Sequence, residues 1–162
     1  MNTTIQRRRR HGFSFVEAIF TIAIIGIMSS LVVAAISNAS RDAHRVMSRQ
    51  QQVSVQSALT TWVMAQTRVG STAQVRSLES VRSAYNALPT TSARFNLLLP
   101  NASSPDPNLR AGFMDQTTAD HFLDYTTSTD RLKTAAMNNA KQYLSLPTWQ
   151  SGDYPRVELV NE

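Results

Sequence analysis

The feature that most restricts this 162-residue chain is a run near its start, from Phe13 to Ile36, that reads FSFVEAIFTIAIIGIMSSLVVAAI. These 24 residues contain no Lys, Arg, Asp, Asn, Gln or Pro, and a single charge, Glu17. As an α-helix the run would be about 36 Å long, enough to cross about 30 Å of hydrocarbon with some tilt. Thirteen of its residues are Phe, Val, Ile or Leu. At about −0.3 to −0.6 kcal/mol each they favour insertion by about 4–8 kcal/mol, against about 3 kcal/mol or less for one carboxylate away from the bilayer centre. Insertion wins.

The flanks set an expected orientation. Arg7, Arg8, Arg9 and Arg10 lie just before the span, whereas Arg41 and Asp42 after it nearly cancel. The positive-inside bias therefore places residues 1–12 in the cytoplasm and everything after about Ser37 outside. The same distribution answers the nucleic-acid reading that a net charge of +5 invites. Beyond Ser37 there are twelve Lys and Arg against ten Asp and Glu, interspersed. A nucleic-acid binder needs its cations gathered on one face, so no nucleic-acid partner is expected. The chain has no Cys, which removes disulfides, thiolate nucleophiles and Cys-ligated metal.

Three simpler readings compete for the span. A cleavable secretory signal has an apolar region of about 7–15 residues, shorter than this one, although Ser37-Asn38-Ala39 resembles a small-residue cleavage site. A twin-arginine signal is poorly matched by His11-Gly12-Phe13. A plain signal anchor explains the length and the charges but not Glu17, because hydrocarbon penalises an ionisable residue that lacks a partner. Under the signal-anchor alternative the chain would be an extracytoplasmic binding or enzymatic head, neither cleaved nor assembled.

His11-Gly12-Phe13-Ser14-Phe15-Val16-Glu17, followed by Ile22-Ala23-Ile24-Ile25-Gly26-Ile27, resembles the N-terminus of type IV prepilins and type II secretion pseudopilins. In that family a basic leader ends in Gly, the mature chain starts with Phe, and Glu is its fifth residue. The resemblance covers about 25 of the 162 residues. It implies a structural, non-enzymatic filament subunit, anchored in the bacterial inner membrane by a single pass and later part of a periplasmic or surface filament. It further implies that a prepilin peptidase cuts between Gly12 and Phe13 and N-methylates the Phe13 amine. The implied partners are that peptidase, an inner-membrane assembly platform, and other pilin or pseudopilin subunits in a homo- or hetero-oligomeric filament. In such a filament Glu17 of one subunit pairs with the Phe13 amine of a neighbour, and Arg7–Arg10 hold the leader at the cytoplasmic face. The residues agree with these roles. Gly12 has no Cβ and lets a cleft approach the backbone closely. Where the family commonly has Pro, this chain has Ala34, so the helix is expected to be continuous there.

The expected fold is α-rich (α+β): a long N-terminal helix, membrane-spanning in its first half, packed on a small pilin-like head with few strands. Residues 1–12 are read as leader, 13–36 as transmembrane and filament-core helix, 37–69 as its amphipathic continuation, and 70–162 as the head. No Pro occurs before Pro89, and Ala39, Ala43, Val46/Met47, Val55, Leu59, Trp62 and Val63 recur at helical steps, so one helix is expected from Phe13 to about Thr67. Arg41, Arg45 and Arg49 fall together on its other face. Further helices are expected over Thr72–Leu88 and Thr118–Tyr125, and an amphipathic one over Asp130–Leu144, capped by Ser128 or Thr129, with Leu132, Ala136, Ala140, Tyr143 and Leu144 inward. Arg156–Val160 alternates as a strand, and Phe95–Leu98 is a candidate second strand.

Other chemistry finds little support. His44, His121, Asp120 and Asp124 lack metal-ligand spacing and read as solvated surface; no cofactor or metal is expected. Asp153 and Glu158 have few acidic neighbours for a calcium loop. Gly26, Ser29 and Ser30 share roughly one helix face and read as packing.

Overall fold

A computed structural model of the chain describes residues 13–68, 76–103, 110–123, 128 and 130–162. It is mostly helical, with a long apolar N-terminal helix and one small antiparallel sheet, as the sequence predicts. Contacts divide the chain into two units, Met1–Ser40 and Arg41–Glu162.

Helix α1, Phe15–Arg68, runs through 54 residues with no proline and with Gly26 as its single glycine. Ala34 sits within it, so the helix is unbroken at that position. In the first unit its apolar side chains bury nothing: the most apolar window has no buried residue, and Phe15, Phe20, Ile22 and Leu31 are all largely exposed.

In the second unit the buried side of α1 is Ser48, Val55, Ala58, Leu59, Trp62, Val63 and Gln66, at three- and four-residue steps. Val55 through Val63 match the predicted face. Val46 and Met47 do not: both are exposed, and half-buried His44 and buried Ser48 take the inward position. The reason is a set of amide hydrogen bonds. Gln56 Nε2 donates to the Pro155 carbonyl at 2.9 Å while its Oε1 accepts the Val157 N–H at 2.7 Å. Gln52 donates to the Val157 carbonyl at 2.8 Å, and Thr134 Oγ1 donates to Gln51 at 2.8 Å. Gln52 and Gln56 supply a ladder to backbone of the 155–157 segment that would otherwise lack these partners.

Helix α2, Leu78–Asn86, begins where the Ser77 side chain accepts the Ser80 N–H and ends before Pro89. Of the helix predicted over Thr72–Leu88, Thr72 to Val75 lie outside the described residues. Helix α3, Thr91–Asn96, is capped by Thr90 in the same way and holds Phe95. That overturns a strand at Phe95–Leu98; the Thr90 cap and Pro89 start a helical turn that closes ahead of Pro100. Helix α4, Gln116–Leu123, starts at Asp115, whose carboxylate accepts the Thr118 N–H.

The largest departure lies in residues 130–144. Instead of one helix, Leu132 pairs with Leu144 through two backbone hydrogen bonds of 3.0 and 2.9 Å. Thr134 caps a short helix α5, Ala135–Ala140. Lys141 ends it in the left-handed conformation, and strand β1, Gln142–Ser145, follows. Strand β1 pairs antiparallel with β2, Glu158–Asn161, with Leu144 opposite Leu159. Leu132, Leu144 and Leu146 are fully buried, so Leu144 and Leu146 point inward with a period of two rather than 3.6.

The core of this unit centres on Tyr85, whose ring lies 6.2 Å from both Trp62 and Trp149. Buried Arg94 places its guanidinium 5.3 Å from the Tyr85 ring and donates to the Leu146 carbonyl. Burial pushes the Tyr85 hydroxyl up to about 12, and Arg94 opposes the shift. Its hydroxyl donates to the Pro147 carbonyl at 3.3 Å. Asn86 brackets Trp149, donating to its carbonyl and accepting from its N–H.

Gly112 joins two segments at close range. It has φ +73°, and a Cβ there would lie 2.6 Å from the Pro100 nitrogen, while the next two amides, Phe113 and Met114, both donate to the Leu98 carbonyl. Left-handed backbone and this approach both require glycine. Gly112→Ala should destabilise the second unit by about 2 kcal/mol or more in denaturant titration of the full chain followed by near-UV circular dichroism.

Candidate functional site

The start of α1 is built from a short polar signal inside an apolar run. Phe13 and Ser14 precede the helix, and Phe13 is 77 % exposed. Ser14 occupies the N-cap position: its carbonyl accepts the Ala18 N–H at 3.1 Å, and Glu17, at the third helical position, accepts the Ser14 N–H through Oε2 at 3.4 Å. This is one half of a capping box, in which an acid in the first turn reaches back to an orphan N–H. The carboxylate also lies at the positive end of the helix dipole. The next turn is closed by Thr21 Oγ1, which donates to the Glu17 carbonyl at 2.7 Å.

Only Oε2 of Glu17 is used in this way; Oε1 makes no hydrogen bond among the described residues. Gly12 and Arg7–Arg10 lie outside the described residues. Phe13 and Glu17 are thus found at one end of α1, four residues apart and both exposed.

The other candidates do not converge. Half-buried His44 sits on α1, while Asp120 and His121 are exposed on α4, where Asp120 accepts from Gln116 at 2.7 Å. Asp124 lies outside the described residues. Asp153 is engaged by Arg156 at 2.5 Å and by the Tyr154 N–H at 2.9 Å. Among the described residues no group of three or more His, Asp or Glu is placed to hold a metal ion. The two aromatic residues near the tail part company: Trp149 is buried in the core and Tyr154 is half exposed.

Residues 7–33 match the family model of the prokaryotic N-terminal methylation motif. The chain carries the class III signal of type IV pilins and pseudopilins. No curated protein and no solved structure matches the chain. The methylation motif spans the basic run, Gly12, Phe13, Glu17 and the apolar stretch as far as Val33. It supports a type IV pilin-like or pseudopilin precursor, and it implies processing by a prepilin peptidase and assembly with other pilins. The long apolar helix behind it fits a membrane anchor.

The capping role of Glu17 is absent from the reading of the motif as a peptidase and assembly signal, although Ser14-x-x-Glu17 spells it out. Glutamine can serve this position as well as glutamate can. Glu17→Gln should therefore keep the first turn of α1 protected, whereas Glu17→Ala should raise amide exchange there about two- to fivefold in the detergent-solubilised chain, as loss of about 0.5–1 kcal/mol of capping requires.

Proposed function

We propose that this chain is a prepilin-class structural subunit, made as a membrane-anchored precursor and built into a pilus-like or type II secretion filament through its N-terminal helix. The observation that carries the reading is the methylation motif of residues 7–33, which runs into an apolar helix whose most apolar stretch is unburied among the described residues. In this reading residues 1–12 are the leader, 13–36 the membrane and later filament-core helix, 37–69 its continuation and 70–162 the extracytoplasmic head.

Prepilin peptidase cuts after Gly12 at the cytoplasmic face and methylates the Phe13 amine. Cleavage removes Arg7–Arg10, the charges that hold the N-terminus in the cytoplasm, and so leaves a helix that can later be drawn out of the bilayer. The new amine is basic and carries a positive charge. In an apolar environment it needs a counter-charge, and Glu17 of an adjacent subunit supplies one through Oε1 while Oε2 keeps its own helix capped. Pairing relieves two desolvated charges together and favours a single axial register.

Two variants separate the steps. Gly12→Val should leave the precursor uncut, with no chain beginning at Phe13 by mass spectrometry. Glu17→Ala and Glu17→Gln should both insert and be cut, because neither touches Gly12 and both make the span more apolar. Both should fall well below wild type in sheared-filament yield, since each incoming subunit would bring an amine without its counter-charge. Wild-type yield from Glu17→Gln together with loss from Glu17→Ala would assign Glu17 to capping alone.

A further inference from the structure

Arg41, Arg45 and Arg49 share a face of α1, and the processing motif gives them no task. In the second unit two of them, exposed on the surface of α1, face a shallow recess. Arg41 and Arg45 line a cleft of about 280 Å³ whose far wall is Asn139, Ala140 and Lys141, at the end of α5. Three cations and one side-chain amide thus converge on one space from parts of the sequence about a hundred residues apart. On the helix side of the cleft Asp42 lies 3.6 Å from Arg45. Arg41 and Lys141 have no ion pair among the described residues. Glu162 accepts from Lys133 and pairs with Arg131 at 3.5 Å; Lys133 first, then Arg131 and Lys141, hold its carboxyl below the usual range, so Lys141 shares this acid with two closer cations.

Lys141 is held in an unusual way. It is the one non-glycine residue with positive φ among those described, at 54°. Glycine or asparagine fits such a helix-end position at lower cost. The backbone of Lys141 is pinned on both sides: its N–H donates to the Asn138 carbonyl at 3.2 Å, and its carbonyl accepts the Glu162 N–H at 2.9 Å. A strained lysine fixed at the wall of a cation-lined cleft is the pattern expected of a residue kept for its charge.

Arg41 and Arg45 follow closely on the apolar run in sequence. Arg41 follows Ile36 by five residues, about 8 Å of helix. Headgroup layers extend about 5–8 Å beyond the hydrocarbon on each side. Guanidinium groups match phosphate oxygens in pairs, and basic side chains just outside a span attract anionic lipid. We propose that this cleft binds the phosphate of an anionic phospholipid in the leaflet where the span ends, and so holds the subunit against the membrane before it is taken into a filament. The proposal rests on the membrane-anchor reading of α1.

The test is native mass spectrometry of the full chain in neutral detergent micelles doped with equal phosphatidylglycerol and phosphatidylcholine. Wild type should retain phosphatidylglycerol over phosphatidylcholine by about tenfold. Arg41→Gln/Arg45→Gln/Lys141→Gln should bring the ratio to within about twofold. Lys141→Gly, which suits the left-handed backbone and so preserves the fold, should weaken the preference alone. Arg49→Gln, outside the cleft, should leave it unchanged. Equal retention of the two lipids by wild type, or an undiminished preference in the triple variant, would overturn the proposal. So would displacement of the lipid by millimolar inorganic phosphate bound with the same residue dependence, which would make free phosphate the ligand. Self-association in phosphatidylcholine alone that the triple variant abolishes would instead assign the cleft to contacts between copies. Carbonate extraction of membranes separates the two levels: release of wild type would overturn the anchor reading and this proposal together, whereas a resistant chain without lipid preference would overturn this proposal only.

Discussion

The apolar surface of α1 between Phe13 and Ile36 has no counterpart among the described residues. Side chains as large as Phe15, Phe20 and Leu31 stay exposed because no other described element packs on them. Such a surface demands an outside partner, either lipid or other helices. In the function proposed above both demands are met in sequence, by a subunit that begins in a bilayer and ends in a bundle of its own kind. Glu17 is the charge within that surface, and one of its oxygens closes the first turn of its own helix.

The second unit solves a different problem, that of building a core from a small number of residues. Val55, Leu59, Trp62 and Val63 supply one wall, and Tyr85, Phe95, Phe122, Leu132 and Leu144 fill the space against them. Few regular strands are available to satisfy buried backbone, so side chains take their place. Gln52 and Gln56 act on the 155–157 segment as a neighbouring strand would, and Asn86 does the same for Trp149. Arg94 is a buried charge beside this core. Its charge is balanced by a carbonyl and by the Tyr85 ring rather than by a carboxylate, and its Nε has no hydrogen-bond partner.

What could be read from the sequence followed from how local each signal was. Helix α1 was legible because unbroken apolar and then one-sided periodicity extends over more than fifty residues. The methylation motif of residues 7–33 was legible because its order and spacing are self-contained. The head was less so. Leu132, Ala136, Ala140 and Leu144 fit helical spacing, and they gave no hint that Leu132 would pair with Leu144 across a short turn. The signals that decide the matter are the Thr134 cap and the left-handed Lys141, each weak until the chain has folded. The basic cleft divides in the same way. The arginine face of α1 is visible in the spacing of residues 41, 45 and 49, whereas Lys141 joins it only through tertiary structure.

Processing of the N-terminus is the hinge between a static anchor and an assembling subunit, and it leaves a covalent record. The most direct measurement is the intact and peptide mass of the chain isolated from its own membranes. A chain that begins at Phe13 and is one methyl group heavier than the cleaved sequence is the result predicted. A chain that still begins at Met1, or one cut after Ala39 with the apolar helix lost, would contradict it.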